Sequence, residues 1–211
     1  DQIKAGASFQ FDDYDEIFHQ TTNDRLDLGR TERMPGLFSE YTHSSSRFTM
    51  VAGLRADFNS YYGNAVSPRL HLKYDIAPLT TIRFSVGSAF RSANLIPENA
   101  AALASARNVE IDGTLGFERS WNTGVSLLHK FKWFDKKWSL ALDAYRSDFV
   151  DQVVADLDRS PQTLAFYMLK GPSFANSVLA DVQVQLGKQW DVKASYRWYD
   201  VRTTYDGVLR E

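Results

Sequence analysis

The sequence predicts an all-β protein, an antiparallel up-and-down transmembrane β-barrel present as a partial barrel of about nine strands. Three observations predict it. Long stretches alternate apolar and polar residues, the connections between them alternate short and long, and the aromatic residues, 14% of the chain, gather where the stretches end. The clearest stretch is RFTMVAGLRADF, which puts Phe48, Met50, Ala52, Leu54, Ala56 and Phe58 on one parity and Thr49, Val51, Gly53, Arg55 and Asp57 on the other. Successive side chains of an extended chain point to opposite faces, so this segment has one oily side and one ionic side.

The same period of two recurs along the chain. The opening strand, 2–13, sets Ile3, Ala5, Ala7, Phe9 and Phe11 against Lys4, Gly6, Ser8, Gln10 and Asp12. Strands are then expected at 36–43, 47–59, 65–75 and 80–90; in the last two Leu70, Leu72 and Tyr74 oppose Arg69, His71 and Lys73, and Ile82, Phe84 and Val86 oppose Arg83, Ser85 and Gly87. Further strands are expected at 115–131, 137–157, 163–187 and 190–203, where Leu140, Leu142 and Ala144 oppose Asp143, and Val178, Ala180 and Val182 oppose Asp181. In the final strand Val192, Ala194, Tyr196 and Trp198 oppose Lys193, Ser195 and Arg197. Several of these exceed the five or six residues usual in soluble sheets and suit the roughly nine to eleven tilted residues that cross a bilayer.

Short turns are expected at Ser44–Ser46, Ile76–Leu79, Lys132–Lys136 and Gly187–Gln189, and longer excursions at 14–35, 60–64, 91–114 and 158–162. Outer-membrane barrels have this asymmetry, brief on the periplasmic side and extended outside. Helix is expected only in NLIPENAAALASAR, inside the longest excursion, where Ala and Leu favour it and Pro97 fits a first turn.

Composition narrows the function classes. The formal net charge of −2, from 24 basic and 26 acidic residues, gives no electrostatic footprint for nucleic acid, so no nucleic-acid partner is expected. No cysteine is present, hence neither a disulfide framework nor a thiolate metal site. No apolar run approaches the roughly 18 residues of a spanning helix, and DQIKAGASFQ lacks the basic and apolar regions of a signal peptide.

Alternation alone fits a β-sandwich as well, because a second sheet can cover the oily side as lipid does. Energetics constrain the membrane version. An Arg or Lys on the lipid face near the bilayer midplane costs about 2–4 kcal/mol, so Arg55, Lys73, Arg83 and Lys193 must face water inside. The expected lumen-facing set is Arg55, Asp57, Lys73, Arg83, Asp143, Asp181 and Lys193, joined by Asp75. Phe58, Tyr61 and Tyr62 near one end, and Phe131, Trp133, Phe134, Trp138 and Trp190 near the other, suit interfacial girdles, where an apolar ring carries a polar tip.

Three stretches resemble one family. SPRLHLKYDIAPLTTIRFSVGSAFRSANL, Ser67 to Leu95, resembles the barrel signature of TonB-dependent outer-membrane receptors, an S-P-R-L strand followed by G-x-G-F-R-x-P-x-L, with Ala89 for the second glycine and Ala93 for the proline. FERSWNTG, Phe117 to Gly124, resembles the P-E-R-S-W-N-x-E segment of the next strand, with Phe117 for proline and Gly124 for the acid. Phe166 to Gly207 resembles later strands of receptors from Bacteroidetes-type bacteria. With GLRADFNSYYG the resemblance covers most of the chain from Glu40 onward.

The resemblance implies a receptor in the outer membrane of a Gram-negative bacterium that takes up a scarce nutrient, most often an iron chelate, haem or cobalamin, sometimes a glycan. The implied partners are the lipid bilayer, a nutrient chelate or other small ligand, and the TonB complex, reached through a plug domain. No cofactor is implied. Neither the plug nor a terminal aromatic strand is recognisable in 1–211, which ends on Leu209-Arg210-Glu211. The expectation is therefore an interior segment, about two-fifths of a roughly 22-stranded barrel.

No catalytic residue is expected. Ligand contacts are assigned to Tyr61, Tyr62, Arg91, Arg107 and Arg119 on the longer connections, where rings stack and guanidinium groups hold carboxylates or phosphates in bidentate fashion. The arginines are also placed to pair with Glu98, Glu110 or Glu118, and the tyrosines to anchor at the interface. His19, His43, His71 and His129 show no metal-ligand spacing, and the acids Asp12, Asp13, Asp15, Glu16, Asp24 and Asp27, with Asn23, lack EF-hand spacing. Two other classes stay open: a soluble β-sheet binding or adhesion module, and a barrel hydrolase using Ser173 with His129.

Overall fold

The computed structural model describes residues 1–19, 25–105, 107–187, 189–205 and 207–210. In chain order the elements are β1 (Gln2–Tyr14), β2 (Ile17–His19), β3 (Arg25–Asp27), β4 (Arg30–Ser44), β5 (Phe48–Asn59), β6 (Gly63–Ala77), β7 (Thr80–Arg91), α1 (Leu95–Glu98), α2 (Ala100–Leu103) and β8 (Asn108–Asp112). They continue with β9 (Glu118–Trp133), β10 (Lys136–Asp151), β11 (Val153–Ser160), β12 (Thr163–Met168), β13 (Ser173–Gln185), β14 (Asp191–Tyr205) and β15 (Val208–Arg210). A single 10-stranded sheet in the order β1-β4-β5-β6-β7-β9-β10-β13-β14-β15 forms an open, partial barrel wall in which every neighbouring pair is antiparallel.

Register carries the alternation from strand to strand. Met50 lies opposite Leu72, Leu72 opposite Phe84, Phe84 opposite Val125, Val125 opposite Ala144, Ala144 opposite Val178, and Val178 opposite Trp198. This rung is apolar from β5 to β14 and passes to His43 on β4, and a slip of one residue would turn a strand's oily set to the ionic side. Exposure is distributed opposite to a soluble sheet. Leu54 and Phe58 are 52% and 45% exposed, whereas Asp57 and Asn59 between and beside them are 0% and 5% exposed. A wall that shows its leucines and hides carboxylates such as Asp57 calls for an apolar cover on its outer side.

The wall holds ten strands where the sequence suggested nine, the short β15 being the addition. Two expected strands are each broken in two. The 137–157 run ends as β10 at Asp151 and continues as β11, and the 163–187 run divides into β12 and β13 at Gly171 and Pro172, which precede β13 instead of lying within a strand. Pro172 has no amide to donate and Gly171 takes φ +132, a backbone conformation open to glycine. The 14–35 excursion also proves shorter, because β4 starts at Arg30, and it carries the β2–β3 hairpin.

These departures build one satellite at the long-connection end. β11, β12 and β8 form a separate sheet in which β12 runs parallel to β8, with Thr163 opposite Asn108 and Tyr167 opposite Asp112. Its core is Leu95, Val109, Leu164 and Phe166, packed by Phe18 and Leu26 of the hairpin, Leu103 of α2 and Val153 of β11. The expected helix over 94–107 is two single turns, α1 and α2, that deliver Leu95 and Leu103 to this core.

Aromatic residues mark both ends of the wall. At the short-turn end Phe131 stacks on Trp138, the Trp138 Nε1–H donates to the Trp133 carbonyl at 3.1 Å, and Phe134 and Trp190 are exposed. At the other end Tyr61 and Tyr62 meet edge to face, and Tyr62 packs on Phe117, which contacts Phe90.

Candidate functional site

The register places Arg55, Asp57, Lys73, Arg83, Asp143, Asp181 and Lys193 on one face of the wall, the side away from the Met50–Trp198 rung. Most of the charges on this face neutralise one another. Arg55 holds Asp57 through Nε and an Nη at 2.7 and 2.6 Å and reaches the Ser8 hydroxyl at 2.9 Å. Arg69 pairs with Glu40 at 2.6 Å, Lys73 with Asp75 at 2.8 Å and Lys193 with Asp181 at 3.0 Å. Arg83 stands opposite Lys73 on one side and Ser126 on the other, and Asp143 flanks the same serine.

Close approach fixes part of this geometry. A side chain at Gly36, directly opposite Asp57, would collide with the Asp57 carboxylate and the Ser8 hydroxyl. One at Gly124 would meet the Tyr145 ring. Glycine at both positions lets a polar side chain lie flat across the backbone.

Where the ionic face meets the long connections, the chain buries a polar cluster. The Glu32 side chain is 4% exposed and that of Arg30 6%, and they are joined through Arg30 Nε and Glu32 Oε1 at 2.7 Å. The other Glu32 oxygen accepts from Asn59 Nδ2 at 2.8 Å and from Ser92 Oγ at 2.9 Å. Arg30 also donates to Asn94 Oδ1 at 2.7 Å, and its guanidinium lies 3.9 Å from the Tyr14 ring centroid. Asn59 completes the cluster by accepting from the Tyr61 and Tyr62 amides. Burial opposes the Glu32 charge, but the Arg30 bond, with Asn59 and Ser92, outweighs it and holds the carboxyl below its ordinary value.

Beside this cluster lies a cavity of about 480 Å³ whose walls include Asp12, Tyr14, Glu32, Arg55, Asp57 and Arg91. Of the five expected ligand contacts only Arg91 lines it. Arg91 is held from two sides, Nε to Glu118 at 2.6 Å and Nη2 to Glu98 at 2.8 Å, pairings that the sequence had suggested. Tyr61 is exposed at the β5–β6 turn, and Tyr62 is half-buried beneath the cluster with Arg30 at 6.0 Å. Arg119 sits on the opposite parity, with Phe90 and Asp151 as its ladder partners and Nη2 donating to the Asn64 carbonyl at 3.4 Å. Arg107 belongs to the satellite and donates to the Leu157 carbonyl at 2.7 Å. The structure therefore does not bring the five together.

Arg30, Glu32 and Asn59 were not expected, nor was Asp156, 2% exposed in β11. Burial opposes the Asp156 charge too, but the Asp158 amide, the Tyr167 hydroxyl and the Arg159 amide outweigh it, so its carboxyl also stays below the usual range. Among the described residues no group of three or more His, Asp or Glu is arranged to hold a metal ion; Asn23 and Asp24 lie outside the described residues. Ser173 and His129 are on opposite parities and at opposite ends of the wall. Their ladder partners on β10, Phe149 and Leu140, are nine residues apart, about 30 Å at 3.3 Å per residue.

A protein-family model described as "TonB dependent receptor-like, beta-barrel" matches residues 2–209. No curated protein matches the sequence. Among solved structures, the siderophore receptor PirA from Pseudomonas aeruginosa superposes with a TM-score of 0.66 at 15% identity, over 94% of this chain and 39% of its own. A variant of the ferric enterobactin receptor PfeA from Pseudomonas aeruginosa, in complex with enterobactin, gives 0.69 at 15% identity, over 93% and 33%. The FrpB iron transporter from Neisseria meningitidis gives 0.60 at 12% identity, over 99% and 34%. The chain thus spans between a third and two-fifths of the length of these proteins, and the likeness is one of fold. None of the three organisms is of the Bacteroidetes type, so that finer expectation gains no support here.

Proposed function

The chain belongs to the TonB-dependent receptor-like β-barrel family, and from that premise we propose that it is an interior segment of an outer-membrane receptor for an iron chelate. On this account the apolar face meets lipid in the outer membrane of a Gram-negative bacterium, and the ionic face lines the water-filled interior. A plug domain elsewhere in the receptor closes that interior and transmits the pull of the TonB complex. The segment binds and passes its ligand without a covalent step. The observation that carries the choice of ligand is the 480 Å³ cavity lined by Arg55 and Arg91, whose guanidinium groups stay 40% and 60% exposed although each is already paired, Arg55 with Asp57 and Arg91 with Glu98 and Glu118. Planar cations on a rigid frame suit the carboxylate and catecholate oxygens of an anionic chelate better than they suit an uncharged glycan.

The test is a titration of the intact receptor in liposomes with ferric catecholate and hydroxamate chelates, haem, cobalamin and oligosaccharides. Saturable binding of a ferric chelate, weakened at least ten-fold by Arg55→Ala with Arg91→Ala, supports the assignment. Binding of oligosaccharide alone, or chelate binding indifferent to both changes, refutes it.

A further inference from the structure

β6 and β7 part at their long-connection ends. Their ladder begins with Ala77 opposite Thr80 and stops at Arg69 opposite Gly87, although β6 goes on to Gly63 against β5 and β7 goes on to Arg91 against β9. Proline accounts for the stop. The Asp75 amide donates to the Arg47 carbonyl and the Lys130 amide to the Leu79 carbonyl. Since bonding direction alternates along an antiparallel strand, the odd residues of β6 then bond to β5 and the odd residues of β7 to β9. The even residues face the seam between β6 and β7, and there the register brings Pro68, which has no N–H, opposite Ser88. From that point the Ser88 carbonyl and both backbone groups of Phe90 have no strand partner, and neither have those of Val66 across the seam.

The seam is bridged on one side and open on the other. Arg119, on the parity of the apolar rung, donates from Nη2 to the Asn64 carbonyl at 3.4 Å, and Phe117 packs against both Tyr62 and Phe90. Ser67, Ser88, Phe90 and Arg91 line the 480 Å³ cavity. Arg55 is the ladder partner of Ser67, and Arg91 follows Phe90, so a cavity-lining arginine stands on each side of the unpaired edge. Backbone groups left without a partner cost free energy unless something bonds to them. A row of them at strand spacing is matched by another extended backbone.

We propose that the β7 edge at Ser88 and Phe90 takes the backbone of a peptide, so that the ligand of this cavity is a ferric chelate built on an oligopeptide. One ligand residue accepts from the Phe90 amide and donates to the Phe90 carbonyl. A ligand amide two residues along donates to the Ser88 carbonyl. Acidic groups of the same ligand reach Arg55 and Arg91. The inference rests on the assignment of the cavity as the receptor's ligand site.

The experiment uses the intact receptor in liposomes and three synthetic probes: a ferric trihydroxamate tripeptide with a free terminal carboxylate, the same chelate with its backbone amides N-methylated, and a ferric catecholate chelate without a peptide backbone. The tripeptide should bind at least ten-fold more tightly than its N-methylated form, and its binding should slow amide exchange at Phe90 at least ten-fold. Equal binding of the two tripeptides, or exchange at Phe90 unchanged by the bound tripeptide, overturns the proposal. If the catecholate binds and the tripeptide does not, strand addition falls while the chelate receptor stands. If none of the three binds, the receptor reading has failed and the proposal falls with it.

Discussion

Arg91, the last residue of β7, and Glu118, the first of β9, are direct ladder partners across the longest excursion of the chain, with 2.6 Å between Nε and Oε2. They are also the arginine and the acid of the two sequence segments that most resemble the family pattern. The second Glu118 oxygen accepts from the Val153 amide at 2.9 Å, so one carboxylate ties β7, β9 and the start of the satellite sheet together.

The two partners should respond unequally to removal. Arg91 is largely exposed, and surface ion pairs contribute about 0.2–1 kcal/mol, so Arg91→Ala should cost under about 1 kcal/mol of stability. Glu118→Ala also strips the partner from a part-buried amide, for which about 1–3 kcal/mol is expected. Urea unfolding of the intact receptor in liposomes measures both, and equal costs would refute the assigned role of Glu118.

Glu32 is the buried hub of the rim. Removing one partner of a buried pair costs about 3–5 kcal/mol, so Glu32→Ala should loosen the 91–94 segment and the Tyr61–Tyr62 turn together. Amide exchange at Ser92, Asn94 and Tyr61 should rise in that variant while β10 and β13 keep their protection.

The same residue gives the rim a pH dependence of definite sign. Its carboxyl is held below the ordinary 4.5, so its stabilisation is present above that value and is lost as the pH falls through the lower, folded-state value. Protection at Asn94 should be flat from pH 7 to 5 and decline under stronger acid. In Glu32→Gln that decline should be absent or reduced.

The satellite has its own core and should melt on its own. Phe166 is 1% exposed, and truncating such a side chain costs about 3–5 kcal/mol. In Phe166→Ala, exchange should rise across β8, β11 and β12 and leave the wall strands unchanged. Loss of the whole barrel would show that the two share one core.

The wall was legible in the sequence and the satellite largely was not, for physical reasons. Alternation survives in β5, β6, β7, β13 and β14 because each has lipid-type residues on one parity and charges on the other. It fails at Arg30-Thr31-Glu32-Arg33, where both parities are polar, and Pro35 two residues on reads as a break although it pairs with Phe9 in the ladder. The start of β4 was lost there, and with it the Arg30–Glu32 pair. In β11 and β12 a buried small sheet needs apolar residues on both faces, so Val153-Val154-Ala155 and Leu164-Ala165-Phe166 look like continuations of β10 and β13. The parallel pairing of β12 with β8 depends on chain paths some fifty residues apart, which no local pattern encodes. The expected ligand contacts were hardest to place, because Arg91, Arg107 and Arg119 share a residue type and a neighbourhood in sequence yet lie in three different surroundings.

Face assignment can also be tested by substitution. Leu142→Arg, on the apolar rung system, should cost about 2–4 kcal/mol in a bilayer, whereas Ser126→Arg on the adjoining ionic position should cost much less.

The most direct measurement is nitroxide scanning of positions 48–58 in the intact receptor in bilayers, reading collision with oxygen, which concentrates in hydrocarbon, against a water-soluble nickel chelate. Oxygen accessibility should peak at Phe48, Met50, Leu54 and Phe58 and dip at Thr49, Val51, Arg55 and Asp57. Peaks on the Arg55 parity, or no alternation at all, would contradict a wall that turns its apolar side to lipid.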